Sequence, residues 1–100
     1  GGILCSDNSN AFIFRNNIHH NYADNGGGIW VNGSAPNILN NTIAYNECNS
    51  ETEPGLGAGI LIKADSEPKI ISNLICNNYS SYAGGGIVLK DTATAFISLI

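Results

Sequence analysis

An all-β solenoid is the fold class predicted by three features of this 100-residue chain. The pairs Gly2-Ile3, Gly28-Ile29, Gly59-Ile60 and Gly86-Ile87 recur at steps of 26, 31 and 27 residues, inside the range of periods that marks stacked arrays. Between them each full repeat reads I-x-x-N-x-I-x-x-N-x-small. Fifteen asparagines and twelve glycines against 12% charged residues favour turns and extended chain over helices.

The elements follow in order. The first repeat carries Gly2-Ile3, Ile13, Asn16, Ile18, Asn21 and Ala23. In the second the same landmarks are Gly28-Ile29, Ile38, Asn41, Ile43, Asn46 and Cys48, and in the third Gly59-Ile60, Ile70, Asn73, Ile75, Asn78 and Ser80. The fourth, from Gly85, matches through Ile87 and Ile97 and stops partway. Apolar positions alternate at period two over short runs bounded by Gly, Asn, Ser or Pro, the pattern of short strands. The second coil is expected to hold strands at 28–32, 36–40 and 42–46, and the third near 59–63, 68–72 and 74–78. Pro36 and Pro68 open the middle strand, where a missing N–H does least harm to a ladder.

Three short strands per coil over about 3.5 coils make a parallel β-helix, each strand pairing with its counterpart about 4.8 Å away. Side chains then stack in columns. Ile3, Ile29, Ile60 and Ile87 form one inward column, Ile13, Ile38, Ile70 and Ile97 a second, and Ile18, Ile43 and Ile75 a third. Fourteen isoleucines against seven leucines suit a pleated surface, and full burial of each is worth about 1.5–3 kcal/mol. A leucine-rich repeat fits the period but not the spacing of the second Asn, and Leu is not the leading apolar residue. Asn16, Asn41 and Asn73 fall at one bend and Asn21, Asn46 and Asn78 at another, positions where stacked amides bond turn backbone and one another. Residues 1–100 are expected to form a single repeat domain that is a fragment of a longer solenoid, because neither end carries a cap.

Composition excludes several functions. The net charge is −4 and the cations are Arg15, Lys63, Lys69 and Lys90, so no basic stripe faces nucleic acid. Apolar runs are far shorter than the roughly 20 residues that span a bilayer, so membrane insertion is not expected. Cys5, Cys48 and Cys76 form no CxxC pair and support neither a zinc site nor a disulfide framework. By repeat position Cys5 and Cys48 are expected inside and Cys76 outside. His19 and His20, as strand neighbours, are expected to point to opposite faces and to form no metal site. Three glycosylation sequons, at Asn32, Asn40 and Asn78, are common by chance in an Asn-rich chain.

With the columns in place, GGGIWV, APNILNNTIAYN and SNLICNN resemble the repeats of right-handed parallel β-helix proteins of the pectate-lyase-like superfold, and the similarity runs the length of the chain. The resemblance implies a secreted or cell-surface protein. Its members include lyases and hydrolases of polysaccharides, adhesins and purely structural solenoids, so fold analogy does not choose among them.

In the enzymes of that class catalytic groups project from the first strand of successive coils. Here that face carries Leu4 and Ser6, Trp30 and Asn32, Leu61 and Lys63, Val88 and Lys90. It lacks the carboxylate pair of glycoside hydrolysis and the acidic cluster of calcium-dependent elimination, and Arg15 lies near the second strand. No catalytic residue is assigned. Asp7, Asp65 and Asp91 recur just after the first strand and are expected to serve the turn. Leu4, Trp30, Leu61 and Val88 form an apolar stripe whose expected partner is a polysaccharide or an adjoining protein domain. Trp30, Asn32, Leu61 and Lys63 are the candidate binding residues, with Trp30 stacking on a sugar ring.

No cofactor is expected. The insertion Glu47–Gly57, longer by about six residues than its counterparts, brings Glu47, Glu51 and Glu53 close in sequence but without the Asp-x-Asp spacing of a calcium loop. The expected function is the scaffold or binding portion of a secreted or cell-surface β-helix protein that contacts carbohydrate or neighbouring protein along its first-strand face. The alternatives are part of a polysaccharide lyase or glycoside hydrolase whose catalytic residues lie elsewhere, and a structural adhesin segment.

Overall fold

The computed structural model describes residues 1–50 and 55–98. Strands β1 (Ile3–Ser6), β5 (Ile29–Asn32), β9 (Ile60–Lys63) and β13 (Ile87–Leu89) stack as one parallel sheet. A second stacks β2 (Phe12–Phe14), β6 (Asn37–Leu39), β10 (Lys69–Ile71) and β14 (Phe96–Ser98). A third holds β3 (Asn17–His19), β7 (Thr42–Ala44) and β11 (Leu74–Cys76). The two-residue strands β4 (Tyr22–Ala23), β8 (Glu47–Cys48) and β12 (Tyr79–Ser80) form a fourth.

The register places the isoleucine columns in line. Ile3 pairs with Ile29, Ile29 with Ile60 and Ile60 with Ile87. Ile13, Ile38, Ile70 and Ile97 pair in sequence, as do Ile18, Ile43 and Ile75. In the middle coils Ile29, Ile38, Ile43, Ile60, Ile62 and Ile70 are sealed from solvent, while Ile97, in the last described coil, is 55% exposed.

The third strand is shorter than its sequence pattern suggests, and a short fourth follows it. The cause is a left-handed residue. β2, β6 and β10 pass to the third sheet, and each strand of the third to the fourth, through two residues whose first lies at positive φ. These residues are Arg15, Asn40 and Ser72 at one bend and His20, Tyr45 and Asn77 at the other, all with φ between 54° and 57°. An L-residue in that region costs about 1–2 kcal/mol, and none of the six is glycine. What offsets the cost is the residue that follows, always an asparagine.

Those asparagines form two axial chains. Asn41 Oδ1 accepts from the Asn16 backbone N–H at 2.9 Å and from Asn16 Nδ2 at 3.2 Å. Asn73 Oδ1 accepts the same two donors of Asn41 at 2.8 and 3.0 Å. Asn41 Nδ2 also reaches the Ile13 carbonyl at 2.9 Å, and Asn73 Nδ2 that of Ile38 at 2.8 Å. The second chain repeats the scheme. Asn46 Oδ1 takes Asn21 N–H and Nδ2, Asn78 Oδ1 takes those of Asn46, and Nδ2 of Asn46 and Asn78 bonds the Ile18 and Ile43 carbonyls. One side chain thus satisfies turn donors of the preceding coil and a carbonyl beneath it, so the tight bends leave few buried polar groups open.

Candidate functional site

On the outward side of the first sheet Leu4, Trp30, Leu61 and Val88 are in register, but they do not form a continuous exposed stripe. Leu61 is 1% exposed, which removes it from the contact residues expected from the sequence. The reason lies in how the chain enters each coil. Gly26, Gly57 and Gly84 adopt positive φ, and a Cβ on them would stand 2.7 Å from Trp30 Cβ, 2.7 Å from Leu61 Cβ and 1.9 Å from Val88 Cγ2. The entering backbone therefore lies against the outward side chains. Glycine here provides both the left-handed turn and the close approach.

Trp30 is half-buried, and among the described residues its indole Nε1–H is buried without a hydrogen-bond partner. Lys63 Nζ stands 5.9 Å from the Trp30 ring centroid and 3.7 Å from Asp91 Oδ2. Asn32 pairs with Lys63 in register. Trp30, Asn32 and Lys63 thus form a half-buried polar end to the first-strand face, and Leu61 lies beneath it.

Beyond that end the turn opens. Asp7 and Asn8, Ala64 and Asp65, and Asp91 and Thr92 are consecutive left-handed pairs, with Gly33 in the second coil. Inside the turn runs a hydroxyl column that the asparagine pattern does not reveal. Ser34 Oγ accepts from Ser9 N–H at 3.1 Å and Ser66 Oγ from Ser34 N–H at 3.0 Å, and both hydroxyls donate to nearby carbonyls. Ser9, Ser34 and Ser66 sit at steps of 25 and 32 residues, the same steps as the asparagine chains, and that spacing is the signal that could have found them.

Outside the column lies a cleft of about 210 Å3 lined by Asn8, Asn10, Ser34, Asp65 and Glu67. Thr92 Oγ1 donates to Asp65 Oδ1 and fixes that carboxylate. A second cleft of about 290 Å3, lined by Glu67, Pro68, Lys69, Thr94 and Phe96, shares Glu67 with the first. The Phe96 ring is 61% exposed and that of Phe12, on the same outward column of the second sheet, 62%. The larger aromatic surface therefore belongs to the second sheet, where Phe12 stacks on Phe14 at 5.2 Å and the Arg15 guanidinium lies 4.9 Å from the Phe14 ring.

Glu47 lies in β8 between Tyr22 and Tyr79, while Glu51 and Glu53 lie outside the described residues. Among the described residues no group of three or more His, Cys, Asp or Glu is placed to hold a metal ion. The three cysteines are free, Cys5 and Cys48 buried and Cys76 partly exposed. Burial pushes both inner thiols above their ordinary value, and in Cys48 the Gly27 N–H, donated to Sγ at 3.1 Å, partly opposes the shift. Of the sequon asparagines, Asn78 is held in the second amide chain, and Ser34 of the first sequon is buried.

His19 and His20 do not diverge as strand neighbours should. Their Nδ1 atoms are 2.7 Å apart, because β3 ends at His19 and His20 lies in the left-handed region with φ 55°. Alternation across a strand holds only while the chain is extended.

No curated protein and no solved structure gives a significant match to the chain. The family model described as a right handed beta helix region matches residues 1–98, in agreement with the parallel four-sheet stack and the in-register isoleucine columns. The chain belongs to the right-handed β-helix family.

Proposed function

We propose that this β-helix is the binding scaffold of a secreted or cell-surface protein and that it engages an uncharged polysaccharide at the turn edge of its first-strand face. The observation that carries this reading is the pair of contiguous clefts that meet at Glu67. One offers the amides of Asn8 and Asn10 and two carboxylates to sugar hydroxyls. The other offers the exposed Phe96 ring as a stacking surface. Together the two clefts draw residues from four successive coils, an extent that suits an extended polymer. With Asp65 and Glu67 in the lining and a net charge of −4, an uncharged chain is favoured over a polyuronate. Trp30, Asn32 and Lys63 extend the surface along the first strand, and no cofactor takes part.

Affinity electrophoresis through gels containing neutral or acidic polysaccharides tests this. Retardation by at least one neutral glycan is expected, lost in Phe96→Ala and Asn10→Ala while thermal midpoints hold. Equal mobility in every gel would refute it. A second reading, glycoside hydrolysis, draws on the two carboxylates Asp65 and Glu67 in one cleft. Release of reducing ends from a retarding glycan, abolished in Glu67→Gln, would select it over pure binding.

A further inference from the structure

We infer that His19 and His20 form a surface site for a square-planar transition-metal ion, Cu(II) before Ni(II), at the bend between the third and fourth sheets. Two imidazoles on adjacent residues rarely converge, and here a left-handed residue makes them do so. His20 at φ 55° turns its ring to the side that His19 already faces, and the His20 N–H, donated to the Tyr45 carbonyl at 3.0 Å, holds the bend to the coil behind it. The His20 ring then stacks on Tyr45, with centroids 5.5 Å apart and an interplanar angle of 12°. One of the two ligands is thereby oriented before any ion arrives. Both histidines are exposed, so an ion reaches them without rearrangement of the core.

The spacing discriminates between metals. The two Nδ1 atoms are 2.7 Å apart. With metal–nitrogen bonds of about 2.0–2.1 Å, cis nitrogens stand about 2.9 Å apart on a square-planar ion and about 3.4 Å apart on a tetrahedral one. The pair fits the cis edge of Cu(II) or Ni(II) better than a zinc tetrahedron, and affinity also rises from Ni(II) to Cu(II). In the metal-free pair one Nδ1 carries a proton and the other accepts it. With both protons on Nε2, two lone pairs face one another, and a cation between them relieves the repulsion. Among the described residues no third His, Cys, Asp or Glu joins them, so the remaining equatorial positions go to water and the ion is exchangeable.

The test uses the full chain with Cys76→Ser, which removes the partly exposed thiol, and Cu(II), Ni(II) and Zn(II) as the probes. Calorimetric titration is expected to give one Cu(II) per chain, with affinities in the order Cu(II), Ni(II), Zn(II). The electron paramagnetic resonance spectrum should be axial with coupling to two imidazole nitrogens. Because loss of an outer-shell partner alone weakens metal sites by about 10–100-fold, His19→Gln and His20→Gln should each weaken binding at least about tenfold, with thermal midpoints unchanged. Copper affinity unchanged in both variants, as when the N-terminal amine is the ligand, would overturn the site. Zinc binding ahead of nickel would overturn the square-planar assignment. Neither result depends on glycan binding.

Discussion

The bends that carry asparagine and the bend that follows the first strand solve the same problem in different ways. At the asparagine bends each of the three described coils uses two residues, a left-handed residue and then an amide. The amides of Asn41, Asn73, Asn46 and Asn78 each accept two donors of the preceding coil and donate to one of its backbone carbonyls. Nothing there varies in length, and the bends close tightly. After the first strand the connections run to four or more residues and differ between coils, and the inner column is serine, which takes one backbone N–H per step. The looser bend is the one that opens clefts. A solenoid thus divides its edges between those fixed by repetition and those free to change, and binding chemistry belongs on the second kind.

Substitutions along the two edges sharpen this contrast. Asn41→Ala should have the largest effect, about 3 kcal/mol in a urea titration, because it takes the acceptor from the part-buried Asn16 N–H and removes three further side-chain bonds. Asn16→Ala, at the end of the same chain, should cost about 1 kcal/mol. Equal losses at the two positions would remove the axial chain as the cause. Gly28→Ala is expected to cost about 2 kcal/mol, since a Cβ there would lie 2.5 Å from the Gly59 carbonyl oxygen and 3.1 Å from Asn46 Nδ2.

On the looser edge Ser34→Ala should cost about 1 kcal/mol, by loss of the bond from Ser9. A cost matching that of Asn41→Ala would erase the distinction between the edges. The smallest effect concerns pH. Cys5 and Cys48 have folded values raised by burial above the ordinary 9.0. Their contribution is whole below that pH and is lost as pH rises through the folded values, because the unfolded thiols ionise first. The thermal midpoint should therefore fall more steeply above pH 9.0 in the native chain than in Cys5→Ala/Cys48→Ala.

Much of the architecture is legible in the sequence because stacking converts axial neighbours into a sequence period. Ile29 and Ile60 read as one column since they meet the same surroundings one coil apart. The small-residue position of Ala23, Cys48 and Ser80 is visible for the same reason, although the strand it belongs to is not. The candidate surface was far less legible. Leu61 alternates outward as Trp30 does, yet alternation gives only the direction of a side chain. Whether solvent reaches it depends on the backbone at Gly57, which arrives from an insertion of irregular length. Asp65 reads as a turn former, and the cleft it shares with Glu67 depends on how the loops of three successive coils pass one another. His19 and His20 read as facing opposite sides only if the third strand continues through His20, whose left-handed backbone ends it.

The sequence by itself determined the period, the inward columns and the positions of the amides, since each depends on identical residues recurring at one-coil spacing. The tertiary structure alone decided which outward residues meet solvent, where the turn edge opens and how the two imidazoles converge. Those outcomes depend on left-handed residues that share no residue type from coil to coil, such as Arg15, Asn40 and Ser72, and on backbone passing from one coil over another, and the pattern of residue types encodes neither.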